Sequence, residues 1–362
     1  MVELTPRQLA KIFLAAAFFA LTLNAASLQA AYRMDVRPGY GVSALKWLSD
    51  YNPNLKGTDY DTPLYVMEGK PGAALLILGG THPREIAGPM TAAVVLENAQ
   101  VEQGRLFIVP CLNAAGMSVP DQLGQVPNQL AFEGRTGRRW LNYGDRRIPL
   151  RKGESDPKEF VHPSGYVHKD GAEWRNLNRN YPGIADGTPA QRVCYAVMEL
   201  IRREKVQTCM DIHEATAPEE VCDAKTGKMM PGGTLSYSLI TNPKYIDPCI
   251  EMVFTLGDRG INLKPEVSIP GFRGISHYEI GNETSCIPFL SETPNPAMNE
   301  YAVKPDPLHD AKHPIEERVG ITLEILQVWF ESCKDLVGSP FVLKGIPSKA
   351  QLEKDGLGAW LQ

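Results

Sequence analysis

The sequence predicts an α/β domain with a mixed, mostly parallel sheet that is flanked by helices on both faces. Three observations lead to this prediction. The continuous apolar run 73–78 ends at two glycines, which is typical of a buried strand. Apolar runs of this kind alternate with segments of helical spacing, most clearly at 188–204. The composition, 43% hydrophobic and 22% charged, is that of a globular chain and excludes a disordered one.

Residues 1–30 are predicted to be an export signal rather than part of this domain. Two basic residues precede the apolar run 12–23, and small residues follow it up to Ala30. The run is shorter than the roughly 20 apolar residues that a membrane helix needs. We therefore expect cleavage near Ala30, a mature domain of residues 31–362 without a membrane span, and a periplasmic or secreted location. An uncleaved N-terminal membrane anchor is the alternative.

The rest of the chain follows the α/β rhythm except in one segment. The elements expected after the first core strand are a helix over 85–98, a strand over 105–109, a helix over 188–204, strands over 206–212, 235–240 and 286–290, and a long helix over 315–333. Residues 114–172 are rich in Gly, Pro and Arg and show little periodicity, so we expect an irregular insert with a functional role. We find no domain boundary and predict one domain after the signal.

Charge and cysteine content argue against one class of function and one kind of metal site. The 37 Lys and Arg against 42 Asp and Glu give a net charge of −5, which argues against general nucleic-acid binding. The seven cysteines are scattered, with no Cys-x-x-Cys pair, so a cysteine zinc site is not expected.

Potential metal ligands follow two of the predicted strands. His82 and Glu85 lie three residues apart just after the first core strand, and His213 follows the strand over 206–212. Two imidazoles and one carboxylate are the three protein ligands of many catalytic zinc sites, which keep a fourth position open. In α/β proteins, such sites gather at the carboxyl ends of the strands. The sequence therefore predicts one zinc ion at this edge of the sheet.

Two further motifs could serve a substrate beside that ion. Asn178 and Arg179 offer donors suited to a carboxylate, because a guanidinium grips a carboxylate with two parallel hydrogen bonds. Glu292 follows the apolar strand over 286–290, and a carboxylate at that place could take a proton from zinc-activated water. Each motif alone is weak, since a polar turn or a surface glutamate would look the same.

The ordered series of these motifs resembles the zinc carboxypeptidase superfamily, and within it the succinylglutamate desuccinylase/aspartoacylase-like branch. The series runs from His82-Pro-Arg-Glu85 through Leu177-Asn-Arg-Asn180 and His213 to Glu292, over roughly residues 65 to 335. The resemblance implies a carboxypeptidase-like fold. It also implies zinc bound by His82, Glu85 and His213, with Glu292 as general base and then acid.

The same resemblance implies roles for residues around the ion. Asn178 and Arg179 would hold the substrate carboxylate, and Arg84 would contact a substrate carbonyl. Family members use an arginine to stabilise the oxyanion; Arg175 and Arg139 are the two candidates here. The loop over 274–281, with His277 and Tyr278, would contact the substrate.

The predicted function is that of an exported zinc hydrolase that cleaves an amide bond next to a free carboxylate. The substrate would be a peptide or an N-acyl amino acid. Seven basic residues in 135–152 suggest an acidic substrate that is attracted to a basic cleft rim, although a solvated loop would have the same composition. The alternative is a non-catalytic ligand-binding protein on the same fold.

Overall fold

A computed structural model describes residues 34–269 and 271–362. The predicted export signal, residues 1–30, lies outside the described residues. Among the residues that are described, no helix is both long and apolar enough to cross a bilayer.

Strands account for much of the described chain. In chain order they are β1 (Ala44–Trp47), β2 (Pro63–Glu68), β3 (Lys70–Leu78), β4 (Gln100–Val109), β5 (Gln129–Gly134), β6 (Gly137–Asn142), β7 (Phe160–Val161), β8 (Val167–His168), β9 (Thr208–Thr216), β10 (Val221–Cys222), β11 (Met229–Met230), β12 (Ser238–Thr241), β13 (Lys264–Val267), β14 (Ile287–Asn295) and β15 (Val342–Lys344).

Nine of these strands form one mixed sheet. Its order is β1-β2-β4-β3-β9-β14-β12-β13, and β15 pairs with β4. The four central strands β4, β3, β9 and β14 are all parallel to their neighbours within this group. Antiparallel pairs lie on either side of them, β1 with β2, β2 with β4 and β12 with β14. The prediction of a mixed sheet with a parallel centre is confirmed.

The helices cover both faces of the sheet, as predicted. They are α1 (Ala87–Asn98), α2 (Ala114–Met117), α3 (Pro189–Glu204), α4 (Ile246–Asp258), α5 (Ser276–Glu283), α6 (Ile315–Glu331), α7 (Cys333–Val337) and α8 (Lys349–Asp355). Alternate residues of β3 enter different cores: Leu75 and Ile77 pack with α1, α4 and α6, whereas Leu76 and Leu78 pack with α3. A strand buried on both faces is apolar throughout, which explains the continuous run seen in the sequence.

Helix α3 begins where the sequence predicts. The Thr188 hydroxyl accepts a hydrogen bond from the Gln191 backbone N–H at 3.3 Å, and the Gln191 side chain accepts one from the Thr188 N–H at 2.9 Å. Pro189 follows at the first helical position, where no N–H is needed.

The insert over 114–172 is more regular than predicted. It contains helix α2 and two antiparallel hairpins, β5 with β6 and β7 with β8. The strands are short, and only some of their positions are buried, so their alternation is hard to see in the sequence. The β5–β6 turn ends at Gly137, whose φ of 121° is accessible to glycine and strained for other residues.

Candidate metal centre

Three parallel strands bring the predicted ligands to one edge of the sheet. His82 and Glu85 lie between β3 and α1, and His213 lies in β9. Leu78 at the end of β3 is in register with Asp211, two residues before His213. Glu292 on β14 is directly opposite His213. Residues that are more than 200 positions apart therefore meet at the carboxyl ends of the central strands.

His82, Glu85 and His213 form one compact, buried group. The Glu85 carboxylate lies between the two imidazoles, with Oε1 2.7 Å from His82 Nδ1 and Oε2 2.7 Å from His213 Nδ1. The candidate ligand atoms all lie within 4.8 Å of one another. At most 6% of any of the three residues is exposed. The Nδ1 atoms and the carboxylate thus converge on one point.

The other nitrogen of each imidazole has its own partner. His82 Nε2 lies 2.9 Å from Asn176 Oδ1, and His213 Nε2 lies 3.1 Å from Asp211 Oδ2. Asp211 in turn accepts hydrogen bonds from the hydroxyls of Thr81 at 2.7 Å and Ser276 at 2.6 Å. His82 thus hydrogen-bonds through the nitrogen that faces away from Glu85, as metal-binding histidines usually do, whereas the His213–Asp211 contact has the distance of an ion pair without hydrogen-bond geometry. This arrangement and the donor set fit a zinc ion of the catalytic type.

The buried ion pair of Glu214 and Arg318 lies next to Glu85 and helps to hold it in place. The Glu214 backbone N–H donates to Glu85 Oε2 at 3.1 Å. The Glu214 carboxylate accepts hydrogen bonds from Arg318, from the Ala87 N–H at 3.0 Å and from the Asn295 side chain at 3.0 Å. This network ties β9, α1, β14 and α6 together directly beneath the ligands, so it restricts their movement.

Glu292 lines the same cavity without a partner. It is 8% exposed, and its Oε2 makes no hydrogen bond to any described residue. Burial, with the carboxylates of Glu85 and Asp211 adding to it, raises the pKa of Glu292 well above its usual value. A buried carboxyl without a partner is costly unless a ligand uses it. Its position next to the ligand group is suited to exchanging protons with a bound molecule.

Two arginines line the cavity and share one carboxylate. Arg146 Nη2 and Arg179 Nε each lie 3.2 Å from Glu173 Oε2, while Arg147 outside the cavity lies 2.8 Å from Glu173 Oε1. The guanidinium of Arg179 also stacks 5.0 Å above the Phe272 ring. Arg147 also pairs with Asp170 at 2.5 Å, so Glu173 is the carboxylate that the two cavity arginines share. One carboxylate cannot neutralise both of these guanidinium groups, so this side of the cavity retains positive charge that suits an anionic ligand.

Glu173 is also expected to make folding stability depend on pH. Burial alone would raise the pKa of Glu173, but Arg146 and Arg179 outweigh it and lower that pKa from 4.5 to about 2. A depressed pKa stabilises the fold fully above pH 4.5, and this stabilisation is lost as the pH falls through about 2. Glu173→Gln should therefore cost about 3 kcal/mol at pH 6 and less than half of that at pH 3. Urea unfolding of both proteins at the two pH values measures this difference.

Glu159→Gln is the matched control for that experiment. Glu159 is in the same insert and pairs with Lys169 at 3.1 Å, but the two side chains are 41% and 85% exposed. Its loss should change stability little at either pH, because exposed ion pairs contribute little. An equal destabilisation by Glu173→Gln at pH 6 and pH 3 would contradict the assigned pKa.

The structure brings some of the predicted substrate residues to the cavity. Asn178, Arg179, Arg84 and His277 all line it. Asn178 Oδ1 accepts a hydrogen bond from the Ser276 N–H at 2.7 Å, and Arg84 Nη1 is 3.4 Å from Asp121 Oδ1. Neither ring nitrogen of His277 hydrogen-bonds to a described residue, although only 4% of the residue is exposed.

Two arginines that were expected to stabilise an oxyanion lie elsewhere. Arg175 pairs with Asp156 at 2.8 Å and donates to the Ile148 carbonyl, away from the metal ligands. Arg139, only 1% exposed, pairs with Glu97 at 2.7 Å in a buried ion pair. Neither lines the cavity, because each guanidinium is already held by a carboxylate outside it. Arg139 therefore does not contribute to a basic cleft rim.

Tyr278, which was predicted to contact the substrate, does not line the cavity. Its ring lies beside the Arg273 guanidinium at 5.8 Å and is not part of the cavity wall. His277, the preceding residue on α5, takes the inward position instead, as successive residues of a helix point about 100° apart.

The sequence did not single out Arg146 as a cavity residue. It appeared there only as one of seven basic residues in the insert. A run of arginines gives no sign of which one points inward, and Arg146 and Arg147 indeed lie on different sides of Glu173.

No protein-family model and no curated protein matches the chain. Solved structures match it at low identity. They include a variant of the cell shape determinant protein Csd4 from Helicobacter pylori, which is 13% identical, with 80% of this chain and 58% of that chain covered and a TM-score of 0.46. A succinylglutamate desuccinylase from a Silicibacter species is 15% identical, with coverages of 80% and 64% and a TM-score of 0.42. An aspartoacylase family protein from Mesorhizobium loti is 16% identical, with coverages of 74% and 61% and a TM-score of 0.37. The chain therefore spans only 58% to 64% of the length of these structures.

Proposed function

We propose that this protein is a zinc-dependent hydrolase that cleaves an amide bond next to a free carboxylate. The observation that carries the proposal is the convergence of His82, Glu85 and His213 in a cavity that also holds a partnerless carboxyl, Glu292, and three arginines. The ordered motif series in the sequence supports it as well.

The side chains divide the work between binding and proton transfer. Arg179 and Asn178 bind the substrate carboxylate and so place the neighbouring amide beside Glu292. A zinc ion at the ligand group supplies a Lewis acid that acidifies water and polarises a carbonyl. Glu292 takes a proton from the attacking water and then passes it to the nitrogen of the leaving amine. The products are a carboxylic acid and an amine, and one water is consumed.

We assign the stabilisation of the developing oxyanion to Arg146 instead of Arg175 or Arg139. Its guanidinium lines the cavity, shares Glu173 Oε2 with Arg179 and is within electrostatic reach of the ligand Glu85. Its Nε makes no hydrogen bond to a described residue and is free to donate.

Replacing Arg146 should slow the chemical step. Arg146→Gln is expected to lower kcat about 100-fold, because the loss of one oxyanion donor typically costs that much or more. Steady-state kinetics on the best substrate would measure it. Arg147→Gln is the control, since Arg147 binds the same Glu173 carboxylate from outside the cavity and should change kcat only slightly. Equal losses in both variants would mean that Arg146 acts only by holding Glu173.

Hydrolysis of a defined substrate panel tests the function itself. The panel contains dipeptides, cell-wall-type peptides and N-acyl amino acids, each assayed with zinc, with a chelator, and with zinc restored. Release of an amine that disappears with the chelator and returns with zinc is the expected result. Hydrolysis that resists the chelator would exclude the metal mechanism, and binding without turnover would favour the alternative, a non-catalytic ligand-binding protein.

An acidic substrate and export remain predictions of the sequence. The export signal lies outside the described residues. The preference for acidic substrates depended on a basic cleft rim that included Arg139, which the structure places in a buried ion pair.

A further inference from the structure

The cavity has two halves of different chemistry. Its charged lining residues, among them Arg84, Arg146, Arg179 and Glu292, belong to the segments around the ligand group. The segments 234–240, 267–269 and 271–275, together with the nearby part of β14, contribute mostly apolar side chains, with Thr234 and Ser268 as polar exceptions. We call six of these residues the apolar strip: Leu235, Ile240, Val267, Ile269, Phe272 and Leu290.

The apolar strip begins next to the reactive groups. Leu290 is two residues before Glu292 on β14, and it is in register with Ile240 on β12. Both are buried, with 2% and 6% of the residue exposed. The Arg179 guanidinium stacks on the Phe272 ring. An apolar group on a substrate held by Arg179 would therefore meet these side chains first.

The apolar strip continues to the surface. Leu235, Val267 and Ile269 line the same cavity and are 43%, 38% and 72% exposed. Contiguous exposed apolar side chains at the rim of a concave site often mark a ligand-binding surface, whereas single scattered ones are ordinary. The whole cavity measures about 480 Å³, which exceeds the needs of an acetyl or succinyl group.

We propose that the substrate carries an extended apolar chain beside the scissile amide, and that this chain lies along the apolar strip. The chain belongs either to the acyl group or to the side chain of the carboxylate-bearing residue; both sources present the same chemistry. This inference rests on the proposed function, which supplies the amide and its carboxylate. It differs from the acidic substrate expected from the sequence, because the six residues of the apolar strip offer no positive charge to a second carboxylate that extends along them.

Binding of two ligand series to the zinc-loaded Glu292→Gln variant tests the inference without requiring turnover. One series lengthens the acyl chain of N-acylglycine from acetyl to dodecanoyl. The other keeps the acetyl group and changes the amino acid from glycine to norleucine, leucine and aspartate. Calorimetry should show the dissociation constant falling about threefold per methylene in one series, as expected for methylenes leaving water. If the amino-acid series is the length-dependent one, aspartate should bind at least about tenfold more weakly than its near-isostere leucine.

Variants at the exposed end of the apolar strip identify where the chain lies. Leu235→Ser and Ile269→Ser combined should weaken the longest ligand of the preferred series about tenfold and leave the shortest unchanged. Both positions are exposed, so the fold should persist. Phe254→Ser on α4 is the matched control, because Phe254 is also 72% exposed but lies outside the cavity, and it should change neither ligand.

The outcomes separate the inference from the proposed function. Affinity that is independent of chain length in both series, or no binding at all, would overturn the inference. Turnover of short substrates by the wild-type protein would still support the hydrolase. Conversely, length-dependent binding without turnover in the wild-type protein would support the apolar strip and reject the hydrolase.

Discussion

Glu292→Gln should abolish turnover, lowering kcat by at least about 1000-fold, while zinc binding stays at the wild-type level. The physical reason is that a glutamine amide cannot take the proton from water or return it to the leaving amine, and such proton transfers contribute about 100- to 10,000-fold. Glu292 is not one of the three converging ligands, and its carboxyl has no hydrogen-bond partner at Oε2 to lose. The substitution nearly preserves shape, so structure and affinity should persist.

Two measurements check this expectation. The rate of amide hydrolysis is compared with the zinc content of the same preparation. Glu251→Gln, an exposed glutamate on α4, should retain the wild-type rate and serves as the control. A Glu292→Gln protein that turns over at a near-normal kcat would remove Glu292 from its proposed role, and simultaneous loss of zinc would show that it acts as a ligand.

Sequence patterns predicted the core of the fold because they report burial directly. The continuous apolar run of β3 follows from burial on both faces, and the start of α3 follows from the capping pair Thr188 and Gln191. The hairpins of the insert were missed because they are short and half-exposed, so few of their positions need to be apolar.

The metal ligands could be predicted because topology limits where strand ends can go. Parallel strands place their carboxyl ends at one edge, so His82 and His213 had to lie at that edge if both followed neighbouring strands. The exact pairing of His213 with Glu292 depends on the register of β9 and β14, which no sequence spacing specifies.

The arginines could not be placed in the same way. An arginine side chain is long and flexible, so its orientation depends on which carboxylate it pairs with. Arg139 pairs with Glu97 and Arg175 pairs with Asp156. Both carboxylates lie outside the cavity, so neither guanidinium points into it. The apolar strip could not be predicted from the sequence either. It combines single residues from separate segments, and each of them looks like an ordinary core residue in the sequence.

The second large effect concerns the metal ligands themselves. Glu85→Gln and His213→Asn should each weaken zinc binding by at least about 100-fold, since loss of even an outer hydrogen-bond partner of a ligand costs 10- to 100-fold. Glu85 contributes the only negative charge among the three ligands and lies between the two imidazoles. Its neutralisation therefore removes both a donor atom and the charge that attracts the cation.

The control for these variants is His309→Asn. His309 is an exposed histidine whose Nδ1 lies 3.1 Å from Asp306, far from the converging ligands in sequence and outside the cavity. Its loss should not change zinc affinity. Circular dichroism and urea unfolding of each variant show whether the fold is retained, so that a loss of metal can be attributed to the ligand.

Zinc stoichiometry after dialysis, measured by elemental analysis on the wild-type, Glu85→Gln, His213→Asn and His309→Asn proteins, tests the central claim most directly. A site formed by His82, Glu85 and His213 predicts one zinc per chain in the wild-type and His309→Asn proteins and almost none in the other two. Equal zinc content in all four, or no zinc in a folded wild-type protein supplied with the metal, would contradict it.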